Sequence, residues 1–181
     1  MKFKIFRFKK VKSTNLTAIR IIKSSNFDYG MIISRTQSNG KGQYGKKWIS
    51  YNGNLFVSFF YKIDNLKNSL KQLTKMNCLL VKDLISKYYK KKIVFKKPND
   101  LLVNQKKICG ILQETLTKFD HKYLIVGIGI NLIKNPNIKD YPTENLSNLI
   151  NKNLQKRMIE NNLKKIFEVK LTKLYKLKKI N

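Results

Sequence analysis

The run Asn54-Leu55-Phe56-Val57-Ser58-Phe59-Phe60-Tyr61 decides the fold of this 181-residue chain. It is almost continuously apolar, and a strand of that kind belongs in the centre of a sheet. A second strand pattern, Met31-Ile32-Ile33, precedes it, and a glycine-rich loop lies between the two. We therefore expect this loop to connect two core strands.

Further strand patterns lie on either side of this run. They are residues 2–8, 93–95, 101–103, 108–116 and 123–132. The last two are separated by a short turn, and strands that follow one another so closely suggest antiparallel pairing. His121 lies in that turn between Asp120 and Lys122, and we interpret it as a solvated residue rather than a catalytic one.

Three segments have the apolar spacing of helices. Ser13-Thr14-Asn15 is typical of a helix start, and residues 66–89 predict the longest core helix. After Pro142 a lysine-rich amphipathic stretch predicts a helix that covers the sheet. Its apolar positions are Leu154, Ile159, Leu163, Ile166, Leu174 and Leu177. A helix lying on a membrane surface is the alternative, against which the asparagines and the scarcity of aromatic residues argue.

The composition indicates one globular domain, residues 1–181. Hydrophobic residues make up 42% of the chain, which is enough for a single well-buried core. The net charge is +29, but its lysines are spread along the whole chain. A dedicated nucleic-acid surface usually concentrates its charge on one face and over-uses arginine. We therefore expect no specific DNA binding.

The cysteines and the apolar runs bear on where the protein acts. Cys78 and Cys109 both lie in apolar patterns and imply no disulfide framework. No apolar run reaches the length of a membrane span, and the N-terminus has the pattern of a strand rather than of a signal peptide. The expectation is a cytoplasmic protein without a membrane partner.

The segment Gly40-Lys41-Gly42-Gln43-Tyr44-Gly45-Lys46-Lys47-Trp48 has the composition of a phosphate-binding loop. Glycines let backbone N–H groups turn toward an anion, and lysines supply the countercharge. Such a loop favours an enzyme that handles a nucleotide. Taken alone, the pattern is as typical of a mobile, solvated hairpin.

Two later segments strengthen the functional interpretation. Lys96-Lys97-Pro98-Asn99-Asp100 lies between two predicted strands and, alone, is ordinary turn chemistry. It is followed by Lys107 and Gly110 at the start of an apolar strand. A glycine at such a position often marks a ligand in contact with the backbone.

Taken in order along the chain, five segments resemble the biotin protein ligase family. They are Ser13-Thr14-Asn15, Gln37 with the loop after it, 96–101, 107–114, and Val126-Gly127-Ile128-Gly129-Ile130-Asn131-Leu132. The resemblance covers residues 11–132 at compatible spacings. It implies an α+β fold with a mixed, largely antiparallel sheet flanked by helices, similar to the class II aminoacyl-tRNA synthetases.

The resemblance also implies an activity, that of a biotin--[acetyl-CoA-carboxylase] ligase. The family activates biotin with ATP and Mg²⁺, forming biotinoyl-5'-AMP, and passes the biotinoyl group to a lysine of a biotin carboxyl carrier protein. The implied partner is therefore the carrier domain of acetyl-CoA carboxylase or of another biotin-dependent carboxylase. Because the first step brings two anions together, the site needs cationic groups. The candidates are Lys41, Lys46, Lys96 and Lys107.

By the same resemblance, the catalytic residues are Lys107, Lys96 and Asp100. Lys107 would contact the biotin carboxyl group and the adenylate, and Asp100 would hold Mg²⁺ near the phosphates. The residues implied to bind biotin or the nucleotide are Ser13, Thr14, Asn15, Gln37, Gly40, Lys41, Gly42, Gln43, Lys46, Trp48, Asn99, Gly110 and Asn131.

Within that set the roles differ. The first four residues, up to Gln37, would bind the ureido ring of biotin, which needs paired polar partners. Gly110 would lie against biotin, Trp48 would pack on the nucleotide base, and Asn99 and Asn131 would contact the nucleotide. A plain helix cap remains the alternative for residues 13–15, and simple core packing the alternative for Trp48.

The chain departs from the family at several positions. Family members commonly carry arginine at the positions of Lys41, Gln43 and Lys46, and tryptophan at that of Lys97. Lysine keeps the charge but not the bidentate fork, so we expect a looser grip on the intermediate. No helix-turn-helix segment precedes Lys2 and no small β-barrel segment follows the last helix, so the expectation is a catalytic core without a repressor role.

Two other functions stay open. One is ligation of lipoate or another acyl acid by the related fold, although the chain has no Arg-Arg-x-Ser-Gly-Gly-type segment. The other is a basic nucleic-acid-binding module without catalysis, against which the diffuse lysines argue. No catalytic Cys or His is expected, because an adenylate is already activated. The loop 39–47 is expected to order over that adenylate and exclude water.

Overall fold

The computed structural model describes residues 1–64, 66–139 and 141–176. Within them the strands are β1 (Lys4–Val11), β2 (Tyr29–Gln37), β3 (Gly40–Lys41), β4 (Lys47–Trp48), β5 (Leu55–Lys62), β6 (Val94–Lys96), β7 (Asp100–Val103), β8 (Lys106–Lys118) and β9 (His121–Ile130). The α-helices are α1 (Thr14–Ser24), α2 (Leu70–Ser86), α3 (Leu146–Ile150) and α4 (Lys156–Lys176), and Gln43–Gly45 is a short 3-10 helix.

Seven strands form one mixed sheet in the order β1-β2-β5-β9-β8-β7-β6, and β3 pairs with β4 in a separate hairpin. Only β1 and β2 run parallel, with α1 connecting them, and every other pair in the sheet is antiparallel. The fold class predicted from the sequence is confirmed. β5 lies inside the sheet between β2 and β9, as its apolar pattern predicts, and the β3–β4 hairpin connects the two core strands β2 and β5.

The two faces of the sheet carry different layers. Alternate residues of a strand point to opposite faces, so Phe59 packs in the cluster with α2 and α4, whereas Phe60 packs with α1. Phe59 stacks on Phe167 of α4 with ring centroids 4.2 Å apart. α4 thus covers the sheet, as the amphipathic pattern predicts.

Two helix predictions need correction. α2 has 17 residues and is shorter than α4, which has 21, so residues 66–89 do not form the longest helix. A capping box between Ser69 and Gln72 begins α2 later than its apolar pattern indicates. The C-terminal stretch forms two helices, because Asn151 takes a left-handed conformation (φ 50°) that ends α3. The predicted apolar position Leu177 lies outside the described residues.

Several smaller features singled out in the sequence have the following places in the structure. Cys78 and Cys109 are buried, free thiols. His121 begins β9 with half of its side chain exposed, and its Nδ1 lies 3.1 Å from Asp64. Among the described helices, none has the length and apolarity that crossing a membrane requires.

Candidate functional site

A cavity of about 550 Å³ lies beyond the N-terminus of α1, on the sheet face that carries this helix. It brings together all but one of the residues that the sequence analysis assigned to the site. These are Ser13, Thr14, Asn15, Gln37, Lys41, Gly42, Gln43, Lys46, Trp48, Lys96, Asn99, Asp100, Lys107, Gly110 and Asn131. The structure does not place the exception, Gly40, in this cavity. It lines a smaller adjoining one between the loop and β8.

Glycines of two neighbouring strands form the floor of the cavity. Gly110 of β8 pairs with Gly129 of β9, and the Trp48 indole lies directly on both. A Cβ atom at Gly110 would lie 2.7 Å from that ring, and one at Gly129 would lie 2.4 Å away. Any larger residue would displace the ring. Trp48, predicted to contact a nucleotide base, lies in this structure on the glycine floor.

The same floor continues toward α1 at Gly127, which faces Asn15. A Cβ at Gly127 would lie 2.3 Å from Asn15 Oδ1. The Asn15 amide is already bonded, because Oδ1 accepts from Ser58 Oγ at 2.5 Å and Nδ2 donates to Glu114 at 2.7 Å. Asn15 therefore joins α1 to the sheet, in addition to lining the cavity.

The polar end of the cavity is built around Gln37. Its Oε1 accepts from the Thr14 backbone N–H at 2.8 Å and from the Thr14 hydroxyl at 3.1 Å. Its Nε2 donates to Ser50 Oγ at 3.1 Å. Ser13 precedes α1 as its N-cap residue, but its side chain makes no cap hydrogen bond. The Ser13 hydroxyl therefore does not cap α1.

The charged end is a cluster of Lys107, Asp100 and Tyr141. Lys107 Nζ lies 2.8 Å from Asp100 Oδ1, an ion-pair contact whose angles do not make a hydrogen bond. The Tyr141 hydroxyl donates to Asp100 Oδ2 at 2.5 Å. Burial, and then this bond to Asp100, raise the pKa of the Tyr141 hydroxyl above its usual range. The hydroxyl therefore remains a donor at neutral pH.

Two asparagines hold the walls of the cavity. Asn99 Nδ2 donates to the Ile111 carbonyl at 2.7 Å, which ties the turn before β7 to β8. Asn131 Nδ2 donates to the Glu144 carbonyl at 3.1 Å, whereas its buried Oδ1 has no partner in the part of the chain that the structure describes. A buried acceptor without a partner is costly. Asn131 Oδ1 is thus free to accept from a ligand donor.

The loop over the cavity is a short hairpin. The Gly42 N–H donates to the Lys46 carbonyl at 2.7 Å, and Tyr44 at the tip has φ 53° and is 91% exposed. In β3, Gly40 lies opposite Trp48, where a Cβ would come within 2.6 Å of the Trp48 carbonyl oxygen. Its role in this structure is to let β3 approach β4.

Several residues that line the cavity were not predicted from the sequence. The alternating glycines Gly127 and Gly129 were quoted only as part of a motif, although their spacing places both on one face of β9. Tyr141 and Thr143 come from the segment before α3, which carried no recognisable pattern. In the folded chain that segment lies beside Lys107, because Thr143 forms a backbone bridge with Lys107.

Comparison with known proteins identifies the family. The model of the biotin/lipoate A/B protein ligase family matches residues 6–131, so the chain belongs to this family. The bifunctional ligase/repressor BirA of Bacillus subtilis (strain 168) is 31% identical over 136 residues, or 74% of this chain. The chain spans 41% of the length of that relative.

Solved structures agree with this family and with the fold. The biotin protein ligase of Aquifex aeolicus in complex with biotin and ATP has a TM-score of 0.79 at 28% identity, and the match covers 96% of this chain and 72% of that one. P. falciparum LipL1 in complex with lipoate has a TM-score of 0.58 at 18% identity, and the match covers 95% of this chain and 63% of that one. This second likeness concerns the fold alone.

Proposed function

We propose that this chain is an ATP-dependent biotin protein ligase. A biotin carboxylate oxygen attacks the α-phosphorus of ATP, the bond to the β-phosphate breaks, and biotinoyl-5'-AMP and pyrophosphate form. The amine of a carrier lysine then attacks the activated carbonyl, loses a proton and releases AMP. The observation that carries the proposal is the convergence of the family's motif residues on one cavity with a lysine-rich rim.

The cationic residues would act where negative charge accumulates. Lys107 lies beside the glycine floor, so it can meet a carboxylate that lies along Gly110 and the phosphate that this carboxylate attacks. Lys96 lies beside the same Tyr141 ring as Lys107. Lys41 and Lys46 line the cavity from the loop. Positioning of two reactants, rather than a nucleophile from the enzyme, would provide the catalysis.

The polar end of the cavity suits biotin, and the opposite end suits the nucleotide. A ureido ring has two N–H donors and one carbonyl acceptor, which match the hydroxyls of Ser13 and Thr14 and the amide of Gln37. Asn131 Oδ1 would accept from the base. Trp48 would have to leave part of the glycine floor before biotin could lie there, because the ring covers Gly110 and Gly129.

The residues present fit a Mg²⁺ ion that is held mainly by ATP. Asp100 is the only acidic side chain among the described residues that line the cavity. Mg²⁺ is usually held by one or two carboxylates together with phosphates and waters, and no cluster of three or more candidate ligands occurs in the described ranges. Asp100 would hold the ion, which would neutralise phosphate charge.

The partner in this proposal is a biotin carboxyl carrier domain, as the family implies, and the reaction takes place in the cytoplasm. No DNA or membrane partner is proposed. Ligation of lipoate remains a second candidate, because the matching family model includes lipoate ligases. Gln43 carries no charge at a loop position where relatives commonly have arginine, so the intermediate would be held more loosely.

The test is exchange of labelled pyrophosphate into ATP in the presence of biotin, lipoate or octanoate. We expect exchange with biotin alone, and a loss of roughly 100-fold or more in Lys107→Ala, the scale of removing a group that stabilises transition-state charge. Lys106→Ala is the matched control, because Lys106 pairs with Glu144 outside the cavity. Exchange with lipoate alone would establish the second candidate. If none of the three acids supported exchange, both candidates would be refuted.

A further inference from the structure

Tyr141 contacts all three side chains to which the proposed function gives catalytic roles. Its hydroxyl donates to Asp100 Oδ2 at 2.5 Å. Its ring lies 4.8 Å from Lys96 Nζ and 5.2 Å from Lys107 Nζ, within the range of cation–π attraction. Neither the motifs nor the family resemblance pointed to this residue.

The backbone around Tyr141 is tied to β8. The Lys107 N–H donates to the Pro142 carbonyl at 2.8 Å, and the Glu144 N–H donates to the Lys107 carbonyl at 3.0 Å. Thr143 forms an isolated parallel bridge with Lys107. The segment that follows Tyr141 is therefore hydrogen-bonded to the backbone of Lys107. These bonds fix the position of the Tyr141 ring relative to the Lys107 ammonium group.

The charges explain why such a residue is needed. Lys96 and Lys107 both lie near one ring, and Asp100 is the only carboxylate that lines this cavity among the described residues. A carboxylate with one ion-pair contact could rotate toward either lysine. The hydroxyl bond to Asp100 Oδ2 opposes that rotation, and leaves Oδ1 facing Lys107.

We propose that Tyr141 is a positioning residue for the nucleotide end of the site, with a hydroxyl that orients Asp100 and a ring that holds Lys96 and Lys107. This inference rests on the proposed function. The Tyr141 hydroxyl bonds to Asp100, and the described contacts of Tyr141 do not include Thr14 or Gln37, so loss of the hydroxyl alone would weaken the handling of ATP and leave the affinity for biotin nearly unchanged. Loss of the ring as well would also release Lys107, which the proposed function places against the biotin carboxylate.

The variants separate the hydroxyl from the ring. Tyr141→Phe removes only the hydroxyl, and Tyr141→Leu removes both. Tyr88→Phe is the matched control, because Tyr88 accepts a hydrogen bond from Asn162 at 2.9 Å where α4 meets the end of α2, outside the cavity. Thermal unfolding of all three shows which variants are folded.

Two readouts make the test decisive. In titration calorimetry with ATP and Mg²⁺, Tyr141→Phe should weaken ATP binding by roughly tenfold, the scale of a lost hydrogen bond to a charged group, while biotin binding changes by less than about twofold. In lysine acetylation followed by mass spectrometry, without ligand, Lys96 and Lys107 should react faster in Tyr141→Leu than in the wild type.

The outcomes distinguish this inference from the function it rests on. Unchanged ATP affinity and unchanged acetylation in the Tyr141 variants would overturn the positioning role, as would equal weakening of ATP binding and biotin binding in Tyr141→Phe. A wild-type protein without exchange activity, but with faster acetylation of the two lysines in Tyr141→Leu, would support the positioning role and refute the proposed function.

Discussion

Three glycines set the depth of the cavity, because each lies where a side chain from another segment rests on the sheet. Gly110 and Gly129 carry the Trp48 ring, and Gly127 carries Asn15. None of the three has a left-handed φ, so the requirement for glycine is one of space rather than of backbone conformation. A substitution at one of these glycines would therefore displace the side chain that rests on it, Trp48 or Asn15.

A side chain at Gly127 should destabilise the protein. In Gly127→Ala the new methyl group would push the Asn15 amide away from Ser58, so we expect a loss of roughly 1–3 kcal/mol in the free energy of unfolding, measured with urea. Ser58→Ala removes the same hydrogen bond. The double variant should therefore lose less than the sum of the two single variants.

The matched control is Ser34→Ala, because Ser34 is also buried but bonds to the Thr36 carbonyl and shares no partner with Asn15. Its effect should add to that of Gly127→Ala. Strict additivity of Gly127→Ala with Ser58→Ala would show that the methyl group is accommodated without disturbing Asn15.

Among the elements, the β3–β4 hairpin is the one whose position bears most directly on function. It closes the cavity with few hydrogen bonds of its own, and its tip is exposed. The proposed function requires water to be kept from an adenylate, because water can hydrolyse this mixed anhydride before the carrier amine reaches it. We therefore propose that the hairpin, residues 39–47, tightens over that intermediate.

Trypsin tests the proposal, because Lys41, Lys46 and Lys47 are cleavage sites within the hairpin. We expect cleavage there to slow when biotin and ATP are both present, and not with either alone. Cleavage at Lys90, which does not line the cavity, serves as the internal control. Equal rates at the hairpin under all conditions would count against a closing lid.

At the scale of the whole molecule, the charge opposes the fold. Ten acidic residues cannot pair with thirty-nine basic ones, so the net charge of +29 repels itself in the compact state. The described ion pairs lie mostly at the surface. One of these ion pairs, between Arg7 and the buried Glu160 at 2.6 Å, joins β1 to α4.

Screening should therefore stabilise the protein. Raising sodium chloride from about 10 mM to about 150 mM shortens the screening length from about 30 Å to about 8 Å. We expect the midpoint of thermal unfolding to rise by roughly 2–4 °C for each kcal/mol of relieved repulsion. The same series in sucrose controls for solute effects without charge. A fall in the midpoint with salt would mean that attractive pairs outweigh the repulsion.

Local patterns in the sequence determined much of the fold. The apolar run from Asn54 predicted an internal strand, and α4 has the amphipathic pattern of a helix that covers the sheet, because burial imposes such patterns residue by residue. The ends of helices were harder to predict. The capping box at Ser69 and the left-handed Asn151 depend on a few local bonds and dihedral angles rather than on periodicity.

The sequence by itself also determined which motif residues belong together, since their types and order match a family that the comparison confirms. Only the tertiary structure decided the contacts between distant segments. Tyr141 meets Asp100, 41 residues away, and Trp48 rests on glycines of β8 and β9. Such contacts come from packing across the sheet. The local pattern of each segment shows which face a side chain occupies, but not which distant segment will pack against it.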